Sequence, residues 1–371
     1  MNDKPYFSKM AILGVGLLGG SIAKTAKKNG MVSRVSGHGR NPQRISYAIK
    51  NGIIDEAAES PEEAVGGADL VIVCTPVGLI SETIERISGR LEPGAIVTDV
   101  GSTKATIVKN AEAVLPDSVS FVGGHPMAGS EESGVEASTD TLFENALCVL
   151  TSSDRTNISA LNRMARFWEA MRSQAMIMSP EEHDLLVAAS SHLPHMVAVA
   201  LTRCVAGIST DREKVLPLLA GGFRDTTRIA SGSADMWRDI CLTNPEFIGA
   251  VMEKFARTMT EVAEAVRGCE PERLERLFAD AKNFRDGLPA KGRGILAPAS
   301  EILVDVSDRP GVIGEITLAL GEAGINIRNI NVQHVREMRG GTLSLILEKA
   351  SDMESAAKIL SDKGFTTTRV D

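Results

Sequence analysis

The sequence predicts an α/β protein in three parts: a doubly wound parallel sheet, an all-α helical middle, and a small βαββαβ unit of ferredoxin-like order. Three observations carry that expectation. The first half alternates short, nearly continuous apolar runs with helical patterns, the rhythm of parallel strands covered on both faces. From Ser179 the texture becomes wholly helical, and after a stretch rich in glycine and proline the strand and helix patterns resume. A length of 371 residues fits two or three domains.

In chain order, residues 10–15 read as a strand, 17–29 as a helix ended by Gly30, and 32–37 as a second strand. Residues 68–74 and 95–99 are apolar enough to be strands buried on both faces, and 121–124 and 146–150 are weaker strands. Ser179-Pro-Glu-Glu182 is a capping box with proline at the first helical position. Asn244-Pro245 starts another helix, along which Ile248, Val251, Phe255, Met259, Val262 and Val266 form an apolar seam until Gly268 closes it. Gly287, Pro289, Gly292, Gly294 and Pro298 mark a linker. The expected division is therefore 1–178, 179–282, a linker over 283–299, and 300–371.

Composition excludes several function classes. With 40 Lys and Arg against 48 Asp and Glu, the net charge is −8, the wrong sign for neutralising phosphates, so no nucleic-acid partner is expected. Apolar residues at 43% are enough to bury cores. The five cysteines are scattered and form no C-x-x-C, so neither a disulfide framework nor a metal cluster is expected. The apolar stretch 10–23 is too short to span a bilayer and no signal peptide is seen, which points to a cytoplasmic protein with no membrane partner.

Gly14-Val15-Gly16-Leu17-Leu18-Gly19 follows a strand and opens a helix, the setting in which a dinucleotide pyrophosphate rests on a helix N-terminus. This makes the first part a Rossmann-type domain, with Thr75 and Pro76, after the strand 68–74, as further cofactor-facing candidates. An acid to hold the ribose diol is missing at the end of the second strand, where the chain reads Gly37-His38-Gly39-Arg40. Arg40 suits a 2′-phosphate, so the cofactor is NAD or NADP with the balance toward NADP.

Gly123-Gly-His-Pro-Met-Ala-Gly-Ser-Glu131 follows a strand and puts His125 in a loop at the carboxyl edge of the sheet. Ser102, in Asp99-Val-Gly-Ser-Thr-Lys104, lies at the same edge. Small neighbours let a substrate approach His125, and Ser130 and Glu131 add pocket polarity. His192 and His195 flank Leu193-Pro194, where proline should kink a helix. Their spacing lacks a third ligand, so no metal is expected. Phe223-Arg-Asp-Thr-Thr-Arg228 places two arginines four apart, on one face if helical, a pairing that invites a carboxylate. Trp237, one of only two tryptophans, falls in the same stretch and is a candidate pocket wall.

Five motifs in order carry a resemblance: the glycine-rich start, Asp-x-Gly-Ser-x-Lys, Gly-Gly-His-Pro-Met-Ala-Gly-Ser-Glu, Ser-His-Leu-Pro-His, and Phe-Arg-Asp-Thr-Thr-Arg through Met-Trp-Arg-Asp. Together they resemble the prephenate and arogenate dehydrogenases over roughly residues 10 to 280. The resemblance implies oxidative decarboxylation of prephenate to 4-hydroxyphenylpyruvate in tyrosine synthesis. It gives His125 the proton-accepting role, assisted by Ser102, and gives His195 and Arg228 to the substrate, Arg228 at a carboxylate. The missing acid after the second strand departs from the family pattern and touches cofactor preference alone.

Asp308-Arg-Pro-Gly311, then a helix and Gly324-Ile-Asn-Ile327, resembles the ACT domain of amino-acid-regulated enzymes. Such modules pair edge to edge around an amino acid, which makes Asp308, Gly311 and Asn326 candidate contacts for an aromatic effector, tyrosine first and phenylalanine second. That habit and the apolar seam favour a homodimer. The competing readings are an arogenate dehydrogenase or a dual-specificity cyclohexadienyl dehydrogenase, a β-hydroxyacid dehydrogenase, which would not explain the His125 motif, and a non-catalytic amino-acid sensor, against which the retention of His125, Ser102 and Arg228 argues.

Overall fold

The computed structural model describes residues 6–129, 132–208, 212–288, 300–307, 309–333 and 341–370. It divides into one unit over Met1–Gly294 and a second over Ile295–Asp371.

The strands of the first unit are β1 (Phe7–Leu13), β2 (Val32–His38), β3 (Glu56–Ala57), β4 (Leu70–Val73), β5 (Ile96–Asp99), β6 (Ser120–Pro126), β7 (Leu147–Thr151) and β8 (Gln174–Met178). They form one sheet in the order β3-β2-β1-β4-β5-β6-β7-β8. Successive side chains of a strand point to opposite faces, and here both faces are covered. Met10, Ile12, Leu70 and Ile72 enter one core with Ile22 and Trp168, while Ala11, Leu13, Val71 and Val73 enter the other with Ile84 and Ile107. That is why these strands read as unbroken apolar runs.

The sheet is parallel except where β6 meets β7. The antiparallel pairing sets His125 against Val149 and Pro126 against Cys148. His125 therefore stands inside a strand, and not in the loop that the sequence suggests, because β7 supplies backbone partners beyond Gly124. Two strands escape the sequence reading: β3 has only two residues, and β8 lies on the sheet edge with partly exposed side chains.

The expected helical middle is present. Ser179 caps its first helix, Pro180–Val187, by accepting the Glu182 N–H at 3.1 Å. The kink expected at Pro194 takes the form of a π turn over Ala188–His192, just before the Leu193–Ile208 helix. A missing proline N–H and its ring clash favour such a widened turn. Helices Ala234–Thr243, Pro245–Arg267 and Pro271–Asp286 follow. The two arginines do not share one regular helix: Gly221–Thr227 ends before Arg228, which opens a 3₁₀ turn over Arg228–Ser231. Of the apolar seam, Ile248 is buried at 4% exposed, whereas Met259 and Val266 are 50% and 57% exposed.

The second unit contains β9 (Ser300–Val306), β10 (Ile327–Gln333), β11 (Gly341–Leu347) and β12 (Thr366–Val370), with helices Val312–Glu322 and Met353–Asp362. The sheet order β10-β11-β9-β12 is ferredoxin-like. Ile302, Val304, Leu343 and Leu345 pack against Ile316, Leu320 and Leu360 of the helices.

Candidate active site

The glycine-rich turn is formed as its sequence requires. Gly14 has φ +106°, and a Cβ there would stand 2.5 Å from the Cys74 carbonyl oxygen. A Cβ on Gly16, by contrast, would meet nothing within 4 Å. Gly16 is also the N-cap of the Leu17–Lys28 helix, with no side-chain cap and no acid in the first turn. Uncapped N–H groups facing open space suit a pyrophosphate. A cavity of about 690 Å³ runs from this turn past Gly39, Arg40 and Thr75. The Thr75 hydroxyl is buried and has no partner among the described residues, so it too has hydrogen-bonding capacity to offer. The residues present fit a dinucleotide. Among the described residues, Arg40 is exposed and has no ion-pair partner.

A second cavity of about 960 Å³ shares Arg40, Thr75 and Pro76 with the first. It brings together Leu17, Leu18, Ser102 and His125 from the sheet edge with Met236 and Arg238 from the Ala234–Thr243 helix. The reading of sequence missed Arg238, whose guanidinium is held by Asp239 at 2.8 Å and by Asp235 at 3.1 Å.

His125 sits in a connected polar group. Its Nδ1 is 2.8 Å from Nε2 of His183, and Nδ1 of His183 is 2.8 Å from Oδ1 of Asp184. Burial holds the His125 pKa well below 6.5, and His183, Lys104 and His192 lower it further, so the ring is neutral near pH 7. Beneath it Lys104 and Asp99, both 0% exposed, form an ion pair. Asp99 also accepts the Gly101 N–H at 2.8 Å and the Gly124 N–H at 3.2 Å, tying the Ser102 loop to the strand that carries His125. A Cβ on Gly124 would lie 2.7 Å from the Asp99 carbonyl oxygen, so only glycine permits this approach. Ser102 does not cap the Ala105–Val114 helix, whose N-cap is Lys104, and it lines the cavity.

Other candidates lie apart from this lining. Trp237 stacks on His195, ring centroids 3.5 Å apart at 14°, and meets His192 edge-on at 6.0 Å. His195 is buried and its pKa is lowered by that burial, whereas Arg228 is exposed. Trp237, His192, His195 and Arg228 are not among the cavity-lining residues, although Trp237 is the neighbour of Met236 and Arg238. Ser130, Glu131 and Asp308 lie outside the described residues. In the second unit, Gly311 has φ +88° and begins the Val312–Glu322 helix with no side-chain cap. Asn326 donates to Glu348 at 2.9 Å.

Comparison with known proteins gives a consistent answer. Residues 22–177 match the family model described as prephenate dehydrogenase, nucleotide-binding domain; residues 179–280 match prephenate dehydrogenase, dimerization domain; residues 300–364 match the ACT domain. A prephenate dehydrogenase of Bacillus subtilis is 39% identical over 354 residues, 94% of this chain and 94% of that protein. The solved prephenate dehydrogenase of Aquifex aeolicus, in complex with hydroxyphenyl propionate and NAD+, is 37% identical with a TM-score of 0.70, over 75% of this chain and 97% of that one. The arogenate dehydrogenase of Synechocystis is 29% identical with a TM-score of 0.68, over 75% and 99%.

Proposed function

The chain belongs to the prephenate dehydrogenase family, and from that premise we propose that it oxidises and decarboxylates prephenate to 4-hydroxyphenylpyruvate, with His125 as general base. The observation that carries this reading is a neutral imidazole, His125, on the same cavity as Ser102 and the cofactor turn.

Nicotinamide, when bound, accepts a hydride. Gly14, Gly16 and the first turn of the Leu17–Lys28 helix would hold its pyrophosphate, and Thr75 and Pro76 would line the passage toward the second cavity. The proton of the ring hydroxyl passes to Nε2 of His125 as hydride leaves the carbon bearing that hydroxyl. The electrons of the bond to the ring carboxylate then enter the ring as carbon dioxide departs, and the resulting phenolate takes up a proton. Aromatisation drives the sequence, so these residues chiefly position the reactants and accept a proton. Ser102 is the group we assign to hydrogen-bond the reacting hydroxyl. Arg228, with His195, Trp237, Ser130 and Glu131, remains our assignment for the rest of the substrate, Arg228 at a carboxylate.

Arogenate is the second reading, favoured by the similarity to the Synechocystis enzyme. Comparing kcat/KM for prephenate and arogenate separates the two; a clear preference for arogenate sinks the prephenate assignment. For the cofactor, the exposed Arg40 at the end of β2 supports NADP. Arg40→Ala should raise KM for NADP by about tenfold to a hundredfold, the worth of a charged hydrogen bond, and leave KM for NAD nearly unchanged. Unchanged constants for NADP would refute the assignment.

A homodimer is supported by the match to a dimerization domain and by the apolar residues exposed on the helical part, Ile208, Leu218 and Leu242 among them. The stretch Pro180–Ile208 is long and apolar enough to cross a membrane by length and composition, with 28% of its most apolar window buried. We assign that face to a second copy of a soluble, cytoplasmic enzyme. The C-terminal unit supports regulation by tyrosine, bound at the N-terminus of the Val312–Glu322 helix near Gly311. Calorimetry should register tyrosine binding more tightly than phenylalanine; silence with both would refute an aromatic effector.

A further inference from the structure

His183 exchanges no proton with the substrate, yet it is 0% exposed and both of its ring nitrogens are engaged. Its partner Asp184, 1% exposed, is fixed from several sides. Oδ1 accepts the Lys104 N–H at 2.7 Å, Oδ2 accepts the Ala105 N–H at 2.9 Å, and the Asp184 carbonyl accepts from Asn244 at 2.9 Å. A carboxylate ringed by donors can only accept, so Nδ1 of His183 carries its proton. In a singly protonated His183 ring, Nε2 is then an acceptor, to which Nδ1 of His125 donates. That arrangement puts the proton of His125 on Nδ1 and leaves Nε2 its lone pair.

We propose that His183 and Asp184 are positioning residues that hold His125 in this tautomer, leaving the Nε2 lone pair for the substrate hydroxyl. The proposal rests on reading His125 as the base. A neutral imidazole left to itself favours the proton on Nε2, the tautomer unable to accept there, so the relay corrects a preference that would oppose catalysis. Among the described residues, the other groups acting on His125 are Lys104 and His192, which disfavour its protonation; Asp99 is paired with Lys104, and the buried Cys148 lies on β7 opposite Pro126.

Three variants and one spectrum test this. His183→Phe keeps a planar ring but offers no acceptor, and should lower kcat by about tenfold to a hundredfold while KM for prephenate and for the nicotinamide stays within about twofold. His183→Gln carries an oxygen that can accept the Nδ1 proton, and should recover most of that loss. In the unsubstituted protein, ¹⁵N spectra of the imidazoles, with His125 identified by its absence in His125→Asn, should show Nδ1 protonated and Nε2 bare. That reading needs no variant at the relay to fold. If His125→Asn is impaired while His183→Phe turns over normally, or if His125 carries its proton on Nε2, the relay is overturned and the base survives. Normal turnover by His125→Asn would instead remove the base on which the relay depends.

Discussion

Replacing His125 by Asn is expected to lower kcat by about 10²-fold or more, the usual worth of a general base, with little change in nicotinamide affinity. The substitution is mild structurally. The asparagine amide can still donate toward His183 Nε2, where His125 Nδ1 now stands at 2.8 Å, and the backbone pairing with Val149 is untouched. What disappears is the basic lone pair on the cavity side. The pH profile of the unsubstituted protein adds a second expectation. The base must be neutral to work, and its pKa lies well below 6.5 because burial and the neighbouring His183, Lys104 and His192 oppose a positive charge. The acid limb of kcat/KM should therefore fall well below pH 6.5, with no loss between pH 8 and 6.5. A limb at or above the ordinary histidine value would mean that the titrating group is another one.

Asp99→Ala should cost about 3–5 kcal/mol of stability, because it strands the Lys104 ammonium in a site with no access to water. The same change removes the acceptor for the Gly101 and Gly124 N–H groups, so the Ser102 loop and the strand that carries His125 lose their common anchor. Burial already lowers the Lys104 pKa, and Asp99 is the main influence raising it again. Without Asp99 the native state favours neutral Lys104 while the unfolded chain keeps its ordinary value of 10.5. The deficit should accordingly shrink as pH rises toward that value, since a neutral amine needs no counter-charge. Thermal melts at several pH values check this; a variant that melts like the parent at neutral pH would contradict the structural role.

Much of the fold is legible locally. The strand at Met10 to Leu13, the glycine turn and the Ser179 cap are each decided by residues within one or two turns of chain, which is why pattern alone finds them. The features that escaped depend on distant approach. His183 meets His125 across 58 positions, and Asp184 meets Lys104 across 80, so a His-Asp pair early in a helix gives no hint of either contact. Strand direction is equally silent in sequence: residues 146–150 read the same whether β7 runs parallel or antiparallel, and only the antiparallel choice carries His125 into β6. Lys104 leaves a visible signal, a lysine five residues after a strand-ending aspartate, and its complete burial beside Asp99 shows what that spacing means. Arg238 was visible as part of Met-Trp-Arg-Asp, but its place on the cavity follows from helix packing alone.

The most direct measurement is the stoichiometry of the purified chain acting on prephenate, followed as nicotinamide reduction together with carbon dioxide release. One reduced nicotinamide and one carbon dioxide are expected for each prephenate consumed, with 4-hydroxyphenylpyruvate as product. Absence of reduction with prephenate and with arogenate, using NAD and NADP alike, or reduction without carbon dioxide, would contradict it.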